Sequence, residues 1–404
     1  METPSVYLDC AATTPVDPRV FEAMSPFFSG RFGNPSSLHA SGRDARTALD
    51  EARESVAASI GANDPTEVLF TGGGTESDNA ALIGIVSKAA PTGGHVVVSA
   101  FEHHAVLEPA HRLEGRGYDV TYLAPRRDGC IHAEDLEAAM RADTVLVSVM
   151  HGNNEIGTIQ PIAKLADVAH EGGALMHTDA AQTLGKVEVD VRQMGVDAAS
   201  FSGHKIYAPK GIGALYVKRG TPFEPLLTGG GQEFKRRSGT ENVAYVVGLA
   251  RAVEIMLEER ETEAPRLSLL RDRLLEGITN AVENSEPTVA SGERLPNIAH
   301  VVVKGVEGES MLLQLDHLGV AVSTGSACSS GSLEPSHVLL SIGCPPEVAH
   351  GSLRLSFGRF TTEADIDYFL EKFPAIVEGL RSMSPVYQRM YGSSGTEHPV
   401  TAQS

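Results

Sequence analysis

The sequence has few cysteines and few basic residues relative to its acidic content. Its 404 residues include four cysteines without CxxC spacing, which argues against a disulfide framework or a structural metal site. The 33 Lys and Arg residues are outnumbered by 52 Asp and Glu residues, and the formal charge is −19. A protein of that charge repels nucleic-acid phosphates and anionic bilayers. We therefore expect no direct nucleic-acid partner.

Membrane and export signals are also missing. No apolar run approaches the ~20 residues that span a bilayer. The first five residues, METPS, lack the basic and apolar regions of a secretory signal. The sequence therefore predicts a cytoplasmic protein with no membrane partner. Its 42% hydrophobic content can build a sizeable core, which excludes intrinsic disorder.

Short apolar runs alternate with segments of helical period from about residue 43 to 260. This alternation predicts βαβ units around a mainly parallel sheet in an α/β fold. Predicted strands lie at 68–70, 96–98, 144–149, 198–201 and 213–217, and predicted helices at 43–60, 75–90, 103–116, 133–141 and 161–172.

A different pattern follows a charged helical stretch that we expect to end near Arg273. A strand at 299–303, a helix at 309–318 and a strand at 352–357 predict a smaller α+β domain. The predicted division is a large domain at 15–260, a small domain made of 1–14 and 261–391, and a flexible tail at 392–404.

The segment 71–79, TGGGTESDN, places three glycines between a predicted strand and a predicted helix. Glycines let backbone N–H groups approach an anion closely, and the helix start favours negative charge. Gly73, Gly74 and Thr75 are thus candidates for a phosphate site. Taken alone, the segment is also explained as an ordinary glycine-rich turn.

Two further residues stand where predicted strands end. Asp179 follows the apolar stretch 174–176, and Lys205 follows the predicted strand at 198–201. Alone, Asp179 can be a turn residue and Lys205 a surface lysine. With the glycine segment they supply what pyridoxal 5′-phosphate needs: an amine for its Schiff base, an anion for its pyridine nitrogen and donors for its phosphate. The set therefore predicts this coenzyme, and His103 is a candidate to lie on its ring and to shuttle protons, or else a structural histidine.

Cys328 lies in the Gly- and Ser-rich segment 323–332, which has no periodicity and little to bury. We expect this segment to be an exposed, mobile loop. A thiol there has no apolar contacts to keep it buried, so it is a candidate nucleophile. Cys10, Cys130 and Cys344 do not lie in a segment of this kind, and we interpret them as inert small residues.

Motifs along nearly the whole chain resemble those of one enzyme family. They are YLDCAATTP at 7–15, TGGGTESDN at 71–79, HGNNEIG at 151–157, SGHK at 202–205, RSGT at 237–240, GSAC at 325–328, LEPSH at 333–337 and RLSFGR at 354–359. In this order they resemble the cysteine desulfurases of the NifS and IscS type, in the class-V aminotransferase group. The resemblance implies a fold-type I pyridoxal-phosphate enzyme with a mainly parallel seven-stranded sheet in the large domain and a smaller α+β domain.

The resemblance also implies a role for each matching residue. It implies that Lys205 holds the coenzyme, Asp179 pairs with its pyridine nitrogen and His103 stacks on its ring. The remaining implied contacts are Asn154 and Gln182 near the ring hydroxyl, Gly73, Gly74, Thr75, Ser202 and His204 at the phosphate, and Thr240 at the phosphate from the neighbouring subunit of a homodimer. Arg354, with Asn154, is expected to bind the substrate carboxylate, and Cys328 to attack the substrate sulfur.

The implied reaction converts L-cysteine to L-alanine and leaves a persulfide on Cys328. The implied sulfur acceptors are an iron–sulfur scaffold protein, a tRNA-thiolation enzyme or both. No resident metal is expected, although Cys328 could contact an iron–sulfur cluster transiently. Selenocysteine lyase and cysteine sulfinate desulfinase share such a site and remain alternatives. An ordinary aminotransferase has no use for Cys328, and a non-catalytic sulfur-transfer scaffold has no use for the intact coenzyme residues.

Overall fold

The computed structural model describes residues 5–290, 292–324, 334–384 and 387. The strands are β1 (Val6–Tyr7), β2 (Val68–Thr71), β3 (His95–Ser99), β4 (Asp119–Leu123), β5 (Thr144–Ser148), β6 (Leu175–Asp179), β7 (Ala198–Ser202), β8 (Gly213–Val217), β9 (Ser285–Pro287), β10 (Ile298–Val303), β11 (Val320–Ala321) and β12 (Ser352–Ser356).

The helices include those predicted from the periodicity between residues 43 and 172, together with others that were not predicted. They are α1 (Pro18–Met24), α2 (Ala40–Ser59), α3 (Gly74–Ala89), α4 (His104–Glu114), α5 (Ala133–Ala139), α6 (Ile162–Glu171), the short α7 (Gln232–Lys235), α8 (Val243–Ala281), α9 (Gly308–His317), α10 (His337–Ser341), α11 (Pro346–Ala349) and α12 (Glu363–Ser382). No helix in the described part of the chain is long and apolar enough to cross a bilayer.

A seven-stranded sheet organises the larger part of the molecule, in the order β2-β8-β7-β6-β5-β3-β4. Only β8 runs antiparallel to its neighbours, so the predicted mainly parallel α/β sheet is confirmed. Consecutive residues of one strand face opposite sides: Val97 belongs to one hydrophobic cluster, and Val96 and Val98 belong to another. Helices cover both faces, which explains why the strands are continuous apolar runs.

A second sheet, with the order β12-β10-β9, is antiparallel and has its own hydrophobic core. Helix α8 joins the two cores, since Val253 packs in the first and Leu274 in the second. The prediction that this helical stretch ends near Arg273 is wrong, because Leu274, Leu275 and Ile278 continue its buried face to Ala281. The predicted domain boundary near residue 260 falls inside α8, and the division of the chain stays a prediction.

The segment predicted as an exposed loop is only partly described. Ser323 and Thr324 are buried, with Ser323 2% exposed, because Ser323 makes backbone hydrogen bonds in both directions with Arg354 of β12. The prediction of exposure is therefore wrong for these two residues. Residues 325–333, including Cys328, and the predicted tail at 392–404 lie outside the described residues.

Candidate active site

The carboxyl ends of β6 and β7 form the centre of the site. These strands are parallel neighbours, and Asp179 is paired with Ser200. Strand β6 ends at Asp179, whereas β7 ends at Ser202 and continues into a single 3-10 turn, Gly203–Lys205. Ligands of open α/β sheets bind at this edge. The two strand-end residues predicted from the sequence therefore lie at the same edge of the sheet.

The amine of Lys205 is held by two backbone carbonyls from the N-terminal segment. Its Nζ donates hydrogen bonds to the oxygens of Ala11 at 2.6 Å and Ala12 at 2.7 Å. The Ala11 oxygen also accepts a hydrogen bond from Gln182 Nε2 at 2.9 Å. In the same segment, Thr13 Oγ1 lies 3.1 Å from His204 Nδ1. Sequence reasoning missed Ala11 and Ala12, because a backbone carbonyl can accept a hydrogen bond whatever side chain its residue carries.

The carboxyl of Asp179 is 6% exposed and lies near Lys205. Burial raises its pKa to about 6, opposed by the hydrogen bond that Oδ1 accepts from Ala181 N at 2.8 Å and by the charge of Lys205. The hydrogen bond from Ala181 and the charge of Lys205 both favour the ionised carboxyl. A buried anion of this kind fits a protonated pyridine nitrogen.

The ring of His103 is neutral at pH 7. Burial lowers its pKa to about 4, and the charges of Lys205, His104 and His337 lower it further. Its Nδ1 accepts a hydrogen bond from Ala105 N at 3.1 Å as the N-cap of α4, which leaves the ring proton on Nε2. A neutral ring can stack on a cationic pyridine without charge repulsion.

The glycine segment connects β2 to α3 and faces β7. Gly73 has φ +149°, a backbone conformation that L side chains rarely adopt. A Cβ on Gly74 would lie 3.2 Å from Ser202 Cβ, so the start of α3 packs directly on the end of β7. Thr75 is exposed in the first turn of α3, and backbone N–H groups at the start of a helix can bind an anion. Gly73, Gly74, Thr75 and Ser202 are thus brought together.

Arg354 lies in the middle of β12 and is 5% exposed. Its Nη1 donates to the oxygen of Asn154 at 3.0 Å, and its Nη2 donates to Asp9 Oδ1 at 2.9 Å. Its buried Nε has no hydrogen-bond partner among the described residues. An unpaired N–H of a buried guanidinium is suited to a carboxylate ligand. Sequence reasoning found Arg354 but missed Asp9, its partner 345 positions away.

The roles predicted for Thr240 and Cys328 are not tested by the described residues. Thr240 is exposed and makes no hydrogen bond with the described residues of the site. Cys328 lies outside the described residues. Their assignments stay predictions.

Buried carboxyl groups around the site were missed by sequence reasoning. Burial raises the pKa of Glu102 to about 8 and that of Glu155 to about 7. Glu102 accepts a hydrogen bond from Met150 N at 2.5 Å, and Glu155 accepts one from Ser336 Oγ at 2.5 Å. Each stands beside a motif residue, His103 or Asn154, but their burial could not be read from the sequence.

Comparison with known proteins shows the family. The sequence model of the family described as aminotransferase class-V matches residues 6–369. The chain belongs to this family. A relative named cysteine desulfurase IscS from Dictyoglomus turgidum is 50% identical over 383 residues, 95% of this chain and 97% of that protein. Another of that name, from Methanosarcina thermophila, is 47% identical over 393 residues, 96% of each chain.

Solved structures agree with the family assignment. A NifS-like protein superimposes with a TM-score of 0.88 at 37% identity, covering 93% of this chain and all of that one. A structure described as SspA in complex with cysteine has a TM-score of 0.78 at 37% identity, covering 89% of this chain and all of that one. This class-V aminotransferase is a cysteine desulfurase, and its coenzyme is pyridoxal 5′-phosphate.

Proposed function

We propose that Lys205, Asp179, His103 and Arg354 carry out the desulfurase chemistry of this chain and that Cys328 receives the sulfur. The observation that carries the proposal is the meeting of Asp179 and Lys205 at the ends of two neighbouring parallel strands. The site fits the coenzyme: the glycine cradle lies against Ser202, and Asp179 is a buried anion.

The coenzyme, when bound through Lys205, supplies an electron sink for the carbanion of the amino acid. Arg354 binds the carboxylate of L-cysteine, using the Nε that is unpaired within the described residues. A free Lys205 amine at this position would remove the α-proton of the substrate. His103, which is neutral with its proton on Nε2, donates and accepts protons nearby.

Sulfur transfer then requires a thiolate. The Cys328 sulfur forms a bond to the sulfur of the substrate as the substrate carbon–sulfur bond breaks. The electron pair of the broken bond stays on the β-carbon, which takes up a proton. Return of a proton to the α-carbon then gives L-alanine, and a persulfide remains on Cys328. The other three thiols suit this step poorly. Burial raises the pKa of Cys10 to about 12 and of Cys130 to about 11, and it also raises the pKa of Cys344.

Sulfur acceptors, assembly and location belong to the same proposal. Relatives named IscS, at up to 50% identity, support transfer of the sulfur to acceptor proteins. We infer an iron–sulfur scaffold or a tRNA-thiolation enzyme as the acceptor, a homodimer as the active unit and the cytoplasm as the location. Incubating the persulfurated enzyme, labelled with radioactive sulfur, with each candidate acceptor tests the first point: no label on either class would contradict it.

The role of Lys205 is tested with Lys205→Ala and an exposed control, Lys164→Ala on α6. We expect the Lys205 variant to lose both turnover and the visible absorption of the bound coenzyme, because its Schiff base needs that amine. The control should keep both. Full activity of the Lys205 variant would overturn the assignment.

The role of Cys328 is tested with Cys328→Ser, which lacks a thiolate at neutral pH. We expect normal coenzyme absorption, spectral changes when L-cysteine is added, and no persulfide detected by mass spectrometry. Persulfide formation on Cys10, Cys130 or Cys344 at the wild-type rate would show that the nucleophile lies elsewhere.

A further inference from the structure

Lys186 is a second lysine close to the site, and none of the roles above uses it. Its side chain is buried, with the residue 7% exposed. Its Nζ donates a hydrogen bond to Gln182 Oε1 at 3.2 Å, four residues earlier in the chain. Within the described residues its ammonium forms no ion pair with a carboxylate. Buried lysines without a carboxylate partner are rare, because losing hydration disfavours the charge.

A cavity of about 30 Å³ adjoins Lys186. Its other charged or polar lining residues are Tyr207, Glu259, Arg260, Glu263 and Arg359. Both carboxylates there are already bound by arginines. Glu259 pairs with Arg19 and Arg359, and Glu263 pairs with Arg266. The cavity therefore offers no free anion to neutralise Lys186.

The hydrogen bonds of Lys186 lead to the amine of Lys205. Because Gln182 Oε1 accepts from Lys186, its Nε2 is directed to the oxygen of Ala11 at 2.9 Å. That same oxygen accepts from Lys205 Nζ at 2.6 Å. We propose that Lys186 is a positioning residue for Lys205: it fixes the orientation of the Gln182 amide and places a second cation behind the Lys205 amine.

The charge of Lys186 changes near neutral pH. Burial lowers its pKa to about 7, the charge of Lys205 lowers it further, and Cys10 opposes this shift. Lys186 therefore gains its proton as the pH falls through about 7. Its charge then opposes protonation of Lys205, since like charges nearby disfavour each other. We expect this effect to keep the Lys205 amine in its basic form at lower pH than it would be without Lys186.

This inference rests on the proposed role of Lys205, and its test separates the two. Lys186→Met removes the charge and the donor with little change of volume, Lys186→Arg keeps both, and Lys164→Met is an exposed control. Each holoenzyme is titrated from about pH 6 to about pH 9, following the visible absorption of the bound coenzyme and kcat/KM for L-cysteine. Coenzyme dissociation constants and melting temperatures are measured for the same proteins.

For Lys186→Met we expect the acidic limbs of the absorption profile and of the kcat/KM profile to shift to higher pH by about one unit. Coenzyme binding should weaken about fivefold, as for the loss of one hydrogen bond. The control should keep the wild-type profile, and Lys186→Arg should keep the wild-type acidic limb, where Lys186 is also charged. An unchanged profile in Lys186→Met overturns the proposal, even with a lower melting temperature, because a merely structural lysine would behave in this way. If Lys205→Ala keeps the coenzyme absorption, the proposed function fails instead.

Discussion

Burial drives the titratable side chains around the site toward their neutral forms. It raises the pKa of the carboxyls Glu102 and Glu155 and lowers the pKa of the imidazoles His103 and His204. In each case the cause is that the charged form loses its hydration. The permanent charge of Arg354 therefore acts in surroundings of low polarity, where it binds a carboxylate strongly.

Replacing Arg354 with Leu tests whether this residue binds the carboxylate of the substrate. We expect the KM for L-cysteine to rise by about one to two powers of ten, because a charge-assisted pair in a dry site contributes a few kcal/mol. Coenzyme content should stay normal. Arg46→Leu, on the exposed face of α2, is the control. An unchanged KM in the Arg354 variant would assign the carboxylate site to other residues.

Replacing Glu102 with Gln tests whether the buried carboxyl of Glu102 stays protonated in the folded protein. The pKa of Glu102 is raised from 4.5 to about 8 on folding, so the unfolded chain loses its proton first as the pH rises. Between these values the wild type loses up to about 1.4 kcal/mol of stability per pH unit from this group. Gln does not titrate, and it can still accept the hydrogen bond from Met150 N. The melting temperature of Glu102→Gln should therefore rise relative to wild type from about pH 5 to about pH 8.

Glu134→Gln is the control for that comparison, because the Glu134 side chain is 75% exposed. Its melting temperature should follow the wild type across the range. A difference between Glu102→Gln and wild type that stays constant with pH would show that Glu102 is ionised in the folded protein.

At the scale of structural elements, the turn between β2 and α3 depends on close backbone packing. A Cβ on Gly213, the first residue of β8, would lie 2.6 Å from the carbonyl carbon of Gly73 and 2.6 Å from the oxygen of Phe201. Such contacts are too short for any side chain, so β8 can pass beneath the turn only with glycine at this position.

Gly213→Ala should therefore displace the turn and weaken coenzyme binding by roughly tenfold, the effect of about 1.4 kcal/mol of overpacking. The dissociation constant of the coenzyme, from titration of the visible absorption, measures this. Gly379→Ala in α12 is the control, since nothing lies within 4 Å of its added Cβ. Equal affinities in the two variants would show that the turn tolerates displacement.

For the whole molecule, the exposure of Thr240 in one chain leaves room for the proposed shared site of a homodimer. Thr240→Asp should expel the coenzyme by repulsion between its carboxylate and the phosphate. A mixed dimer of a Thr240→Asp chain and a Lys205→Ala chain, purified with two tags, shows whether Thr240 serves the site of its own chain or that of the partner chain. If Thr240 acts across the interface, one site is intact and activity is about half of wild type.

If Thr240 serves its own chain, each site of the mixed dimer carries one defect. An inactive mixed dimer would thus contradict the shared site. Both homodimers are measured beside it, and each should be inactive.

The sequence by itself determined the alternation of strands and helices in the larger part of the chain, the mainly parallel sheet and the residue types of the site. Hydrophobic periodicity and strand-end positions are local, so the amino-acid pattern alone places Asp179 and Lys205 at one edge of the sheet. Only the tertiary structure decided what holds these residues. The carbonyls of Ala11 and Ala12 reach Lys205 from more than 190 residues away, and backbone groups leave no signal in residue type. The structure also decided where α8 ends and which ionisable side chains have shifted pKa values, because burial of Leu274 or Glu102 depends on packing between distant segments.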